Sequence, residues 1–224
     1  MNELYFFLHV IALISFVLFA LRLGKEALIA CFAIQMVLAN LLVTKQMTCF
    51  GLNITCADVY TIGSLFSLNL LQEYFGKQSA NQAIRTVFFL LLFFIIMTQI
   101  HLSYIPSSYD SMHPVFAELL GVTPRIMLTS FCVAFLTQKL DIEIFGFLKK
   151  RFSQNTFLLR FGGSSLITQL IDTLLFSTIA LYGIVHSIGD IIVMSYLIKV
   201  LLIFCIAPFT TLTKRIIRYD LIQV

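Results

Sequence analysis

LITQLIDTLLF, residues 166–176, lies inside an apolar run from Phe161 to Gly183. That run is long enough to cross a bilayer, which takes about 20 helical residues. Gln169 and Asp172 are three residues apart, so on a helix they share a face with Ser165 and Thr168. An aspartate in the middle of a membrane helix costs about 2.5–3.5 kcal/mol on insertion scales. Such a residue faces a bundle interior or a wet cavity, where it has a partner or a task. Two roles follow for Asp172: a structural pair that locks two helices together, or part of a binding site at mid-membrane.

The composition agrees with a membrane bundle. Of 224 residues, 59% are hydrophobic and 12% charged, and the mean hydropathy is +0.97. Soluble domains carry about 25% charged residues. The first apolar run follows Met1, Asn2 and Glu3 with no basic segment before it and no small-residue cleavage site after it, so no cleavable signal is expected. The net charge of +4 does not point to nucleic acid, because the basic residues lie at helix ends. Phe is abundant at 23 residues and Trp absent, which leaves Tyr and Phe to form any interfacial belt.

Seven spans are expected: 4–21, 27–43, 57–75, 83–105, 124–148, 161–185 and 189–213. The expected fold is an all-α integral membrane bundle of about seven helices. It forms a single transmembrane domain over 1–224, with an extra N-terminal helix at 1–24 and a six-helix core at 25–215. Arg22 and Lys25 fall in the first loop, Lys77 and Arg85 flank the third, and Lys149, Lys150, Arg151 and Arg160 fill the fifth. Lys214, Arg215 and Arg218 lie in the C-terminal tail, whereas the even loops carry only Lys45. By the positive-inside rule the N-terminus is outside and the C-terminus cytoplasmic, in a multi-pass protein of the cell membrane.

Polar groups punctuate these spans. The second carries Gln35 and Asn40, and the loop after it holds Cys49 and Cys56, compatible with a disulfide in an oxidising compartment or with two free thiols. In the third, Asp58, Thr61, Asn69 and Gln72 fall near one helical face, as expected of a helix enclosed by others. Glu73 is either a site residue or the i, i+4 partner of Lys77, and Gly76 ends the helix. The fourth span reads as a lipid-facing wall. Beyond it, residues 114–120 are expected to form a short interfacial helix ended by Gly121, with Thr123 capping the fifth span. Arg125 sits where the helix dipole disfavours a cation, so Glu118, a substrate or outward snorkelling holds it. Lys199 lies deep in the last span, four residues after Ser195. No Cys/His spacing suggests a metal site. Spans two to four and five to seven form two triplets of opposite orientation, each with a polar middle helix, a pattern common in transporters with midplane sites.

The run NLLQEYFGK (69–77) resembles the D-x-x-x-E-x-Y/F-G-K/R signature of the queuosine precursor transporter family, also called the vitamin uptake transporter family. The resemblance continues through TPRIMLTSFCVAFLTQKLDIEIF (123–145), Q-x-x-D-T at 169–173 and SYLIKVL (195–201). It implies a small integral membrane protein that imports deazaguanine bases, such as the cyano or aminomethyl forms or queuine, for queuosine in tRNA. It also implies likeness to the substrate-capture subunits of energy-coupled vitamin importers, which need separate energising partners. The family's first carboxylate is often Asp, whereas this chain carries the uncharged Asn69.

The residue types suit such a base. A guanine-like edge offers two adjacent N–H donors, which a carboxylate, Asp172 or Glu73, accepts in bidentate fashion. The neighbouring carbonyl takes a donor from Gln169, Asn69, Lys199 or Arg125, and Phe66 or Phe176 offers a surface for the ring. The expected partners are thus a purine-like small molecule and the lipid bilayer, without nucleic acid, and a homo-oligomer is left open. No cofactor or metal is expected. An intramembrane enzyme would need H-E-x-x-H or a nucleophile beside a base, and neither pattern occurs. There is no Walker motif either, so any ATP hydrolysis would occur on another chain.

The topology has a direct check. Cysteines introduced at Ser108 and Gln154 should label from opposite sides of the membrane, and labelling of both from one side would overturn the helix count.

Overall fold

The computed structural model describes residues 1–42, 45–49, 52–55, 57–121, 124–152, 157–180, 188–206, 208–209 and 212–213. Two helices open the chain, α1 (Asn2–Leu23) and α2 (Lys25–Leu42). The reversal between them is one residue long. Gly24 takes φ 117°, a conformation open to glycine, and its N–H still reaches Ala20 O at 3.1 Å. A two-stranded antiparallel hairpin follows, β1 (Gln46–Cys49) and β2 (Leu52–Thr55), with Cys49 opposite Leu52. Asn2 ties it to the start of α1 by donating to Thr48 O at 2.8 Å. Periodicity does not announce this hairpin, because strands of four residues leave little alternation to read. Cys56 and the side chain of Cys49 lie outside the described residues.

The central element is α3 (Ala57–Leu102), 46 residues long and broken at Gly76. A 46-residue helix is about 70 Å long at 1.5 Å per residue, twice what one crossing needs, and the break divides it into the third and fourth expected spans. Residues 77–82, expected as a loop, are helical instead. The stretch before Gly76 is enclosed nearly all round, from Ala57 to Gln72. The stretch after it exposes Phe89, Leu92, Phe93, Ile96, Met97 and Ile100, the apolar wall expected of a lipid-facing helix.

The chain continues through α4 (His113–Leu120), α5 (Pro124–Arg151), α6 (Phe157–Ala180) and α7 (Ile188–Ile206). Asp110 accepts hydrogen bonds from the N–H groups of Met112 and His113 at 2.8 and 3.1 Å, satisfying donors at the start of α4. Thr123 and the side chain of Arg125 lie outside the described residues. By length and composition α1, α2 and α3 each suffice to cross a membrane. The polar groups that lower the hydropathy of α5 and α6 face inward: Thr137, Gln138, Asp141, Ser164, Thr168 and Gln169 are all buried. The protein is an all-α membrane bundle.

Helices α1, α2, α5, α6 and α7 all pack on α3. Between helices in lipid no hydrophobic drive operates, so close packing and interhelical hydrogen bonds hold the bundle, at about 0.6 kcal/mol per bond on average. Gln35 on α2 donates to Ser67 Oγ on α3 at 3.1 Å. Gln72 on α3 donates to Ile142 O on α5 at 2.8 Å, and Ser130 on α5 donates to Asn40 Oδ1 on α2 at 2.7 Å.

Gly76 sits at φ 83°, ψ 166°, a region essentially reserved for glycine. Space around it is open, so the constraint is conformational. Gly76→Ala should therefore cost about 1–3 kcal/mol. Gly162→Ala, inside α6 with nothing near its Cβ direction, should be neutral or stabilising by up to about 1 kcal/mol. Thermal unfolding in detergent compares the two, and equal Tm values would show that Gly76 carries no special backbone constraint.

Candidate functional site

Five helices, α2, α3, α5, α6 and α7, surround a cavity of about 140 Å³. Each of three of them contributes a stripe at i, i+3 and i+7, one helical face. On α6 the stripe is Gln169, Asp172 and Phe176; on α3 it is Asp58, Thr61 and Leu65; on α5 it is Ser130, Val133 and Thr137. Ser195 and Lys199, four residues apart, face the same space from α7.

The strongest interaction in the wall joins α6 to α7. Lys199 Nζ lies 2.7 Å from Asp172 Oδ2 and 3.2 Å from Thr173 Oγ1. Thr137 on α5 reaches Asp172 Oδ1 at 3.4 Å. Lys199 is only 5% exposed, so its ammonium depends on these oxygens. Asp58 also lies close enough to feel both charges. Two carboxylates and one ammonium therefore share the cavity.

Two further polar tiers lie along the same helices towards Gly76. In the first, Asn69 donates to Asp141 Oδ2 at 2.8 Å, and Thr168 donates to Asp141 Oδ1 at 3.2 Å. Asn69 and Asp141 are fully buried. An aspartate at 69 would set two carboxylates within hydrogen-bonding distance, which raises the cost of ionising either; the asparagine supplies a donor instead. In the second tier, Glu73 pairs with Arg160 at 2.9 Å and Lys149 at 3.3 Å. Lys149 also donates to Glu73 O at 2.7 Å. The i, i+4 pair of Glu73 with Lys77 does not form. The non-helical Gly76 lies between them and rotates Lys77 away, where it meets Glu143 at 2.7 Å.

Of the residues singled out from the sequence, Gln169, Asp172, Phe176 and Lys199 come together on the cavity wall. Asn69 and Glu73 lie in the two other tiers. Phe66 is fully buried and stacks edge-on against Phe161, with centroids 5.4 Å apart, away from the cavity. Sequence reasoning placed Asp58 on the polar face of its helix without assigning it to the site. The signal was available: a carboxylate inside an apolar span carries the same insertion penalty that drew attention to Asp172. Ser130 and Ser195, which carry no such penalty, gave no signal.

Residues 55–213 match the protein family described as "Putative vitamin uptake transporter". The chain is 30% identical over 222 residues, 98% of its length and 97% of the relative's, to a Bacillus subtilis (strain 168) protein named "Probable queuosine precursor transporter". No solved structure matches the chain.

The Asp172–Lys199 pair has a thermodynamic signature. Removing one partner strands the other charge, at a cost of about 3–5 kcal/mol. Lys199→Gln and Asp172→Asn should each lower membrane accumulation and thermal stability, and the double replacement should recover much of the loss. Additive effects of the two single changes would show that the pair is not coupled.

Proposed function

Because the chain belongs to the vitamin uptake transporter family, we propose that it imports queuosine precursor bases, deazaguanines such as the cyano or aminomethyl forms or queuine. The observation that carries this reading is the cavity, where an ammonium, a carboxamide and an aromatic ring meet among five helices. Lys199 and Gln169 supply donors for the carbonyl of a guanine-like base, and Phe176 supplies a ring surface. Asp172 pairs with Lys199 at 2.7 Å and holds it in place. The name of the Bacillus subtilis relative supports the choice of substrate class.

The tiers below the cavity are assigned structural and gating roles. Asn69 with Asp141, and Glu73 with Arg160 and Lys149, bridge α3 to α5 and α6. Movement of a base towards the Gly76 end would require these bonds to part. Arg125 is retained as a candidate on the family motif alone. The N-terminus is placed outside and the C-terminus in the cytoplasm, from the distribution of Lys and Arg. The transporter core is assigned to 25–215 and the added helix to 1–24.

Uptake of labelled 7-cyano-7-deazaguanine into proteoliposomes holding only this protein tests the reading. Uptake above protein-free vesicles is expected. Binding without uptake would favour the substrate-capture reading, in which separate partners supply energy. Asp172→Ala should cut uptake at least about tenfold at equal protein content, in line with a lost charge-assisted contact network. Normal uptake by that variant would remove Asp172 from the mechanism.

A further inference from the structure

We infer that Asp58 is the carboxylate that reads the donor edge of the transported base, and that Asp172 acts on the base only through Lys199. The inference rests on the reading of the protein as a carrier of guanine-like bases. It begins with a division of labour among the buried carboxylates. Asp141 accepts from Asn69 and Thr168. Glu73 is held by Arg160 and Lys149. Asp172 is held by Lys199 and Thr137. Asp58 differs from all three. It is 8% exposed and lines the cavity, yet among the described residues no side chain or backbone group donates to its carboxylate.

A carboxylate that meets only a narrow cavity is costly unless donors reach it there. Lys199, the cation whose charge acts on Asp58, is committed to Asp172 at 2.7 Å. The donors must therefore come from whatever occupies the cavity. Gln169 is in the same situation from the opposite wall: it is 2% exposed, lines the cavity, and its Oε1 has no hydrogen-bond partner among the described residues. One acceptor-only group on α3 and one amide on α6 thus face a common space. Their chemistry is complementary to a ring edge carrying an exocyclic amine, an adjacent ring N–H and then a carbonyl. The carboxylate takes the ring N–H and one amine hydrogen in bidentate fashion, the amine's second hydrogen goes to Gln169 Oε1, and Lys199 donates to the carbonyl.

Discrimination follows from the acceptor-only character of Asp58. A base without the exocyclic amine leaves one carboxylate oxygen buried and unpaired, and sites built on such a bond reject ligands that lack it. The probes are 7-cyano-7-deazaguanine and its 2-desamino counterpart, with binding measured on the purified full chain and membrane abundance recorded for each variant. Wild-type protein should prefer the 2-amino ligand by on the order of ten- to a hundredfold, the range of a hydrogen bond to a charged group. In Asp58→Asn, whose amide offers a donor where the ligand also donates, that preference should fall to within about threefold. Equal affinity of the wild type for both ligands would overturn the assignment without recourse to any variant. A preference left intact in Asp58→Asn would overturn it too, while leaving base transport standing. Failure of the wild type to bind either ligand would instead remove the base-carrier reading, and this inference with it.

Discussion

A charge inside hydrocarbon has to be compensated by the protein itself, and the Asp172–Lys199 pair meets that demand at 2.7 Å. The pair joins α6 to α7, and Thr137 draws α5 to the same carboxylate. Once the three helices are held around these two charges, their remaining polar residues have nowhere apolar to go. They line a common cavity, with α2 and α3 completing the wall. The site is in this sense a consequence of charge compensation: the helices that pair their charges also enclose the space beside them.

The same demand explains why α3 stands at the centre. Its first half contains Asp58, Asn69, Gln72 and Glu73, too many polar groups for a lipid-facing helix. Three of the four find partners on α5 and α6. Gln72 bonds the backbone of α5, Asn69 bonds Asp141 of α5, and Glu73 pairs with both α5 and α6. Because helix association in lipid draws little from apolar burial, these contacts decide how the helices are arranged. The exposed Phe and Leu of the second half carry no such requirement.

Gly76 separates these two regimes. At φ 83° it breaks the helix between Glu73 and Lys77. The two side chains therefore part, Glu73 turning inward to Arg160 and Lys149 while Lys77 meets Glu143. One glycine thereby converts what would be an ordinary surface ion pair into a fully enclosed guanidinium with its counter-ion, Arg160 being 0% exposed. It also divides the 46-residue helix where the third and fourth expected spans meet.

What the sequence determined by itself was whatever a single helix records. Apolar length placed α1, α2, α5, α6 and α7 near their observed bounds, and the three-residue spacing of Gln169 and Asp172 put them on one face. Insertion cost marked Asp172 as a group in need of a partner or a task, and Lys199 stood out as a charge deep in the last span. Tertiary structure alone decided which helix faces which. Periodicity reports the direction of a side chain around its own axis and is silent about the neighbour it meets. Hence Asn69, on the expected polar face, and Glu73, about one turn beyond it, belong to tiers outside the cavity, and Phe66 to the packed core against Phe161. Asp58 entered the wall only because α3 lies against α7. The helical continuation past Gly76 and the short hairpin were equally hidden, since a break in φ and a four-residue ladder leave almost no trace in hydrophobic pattern.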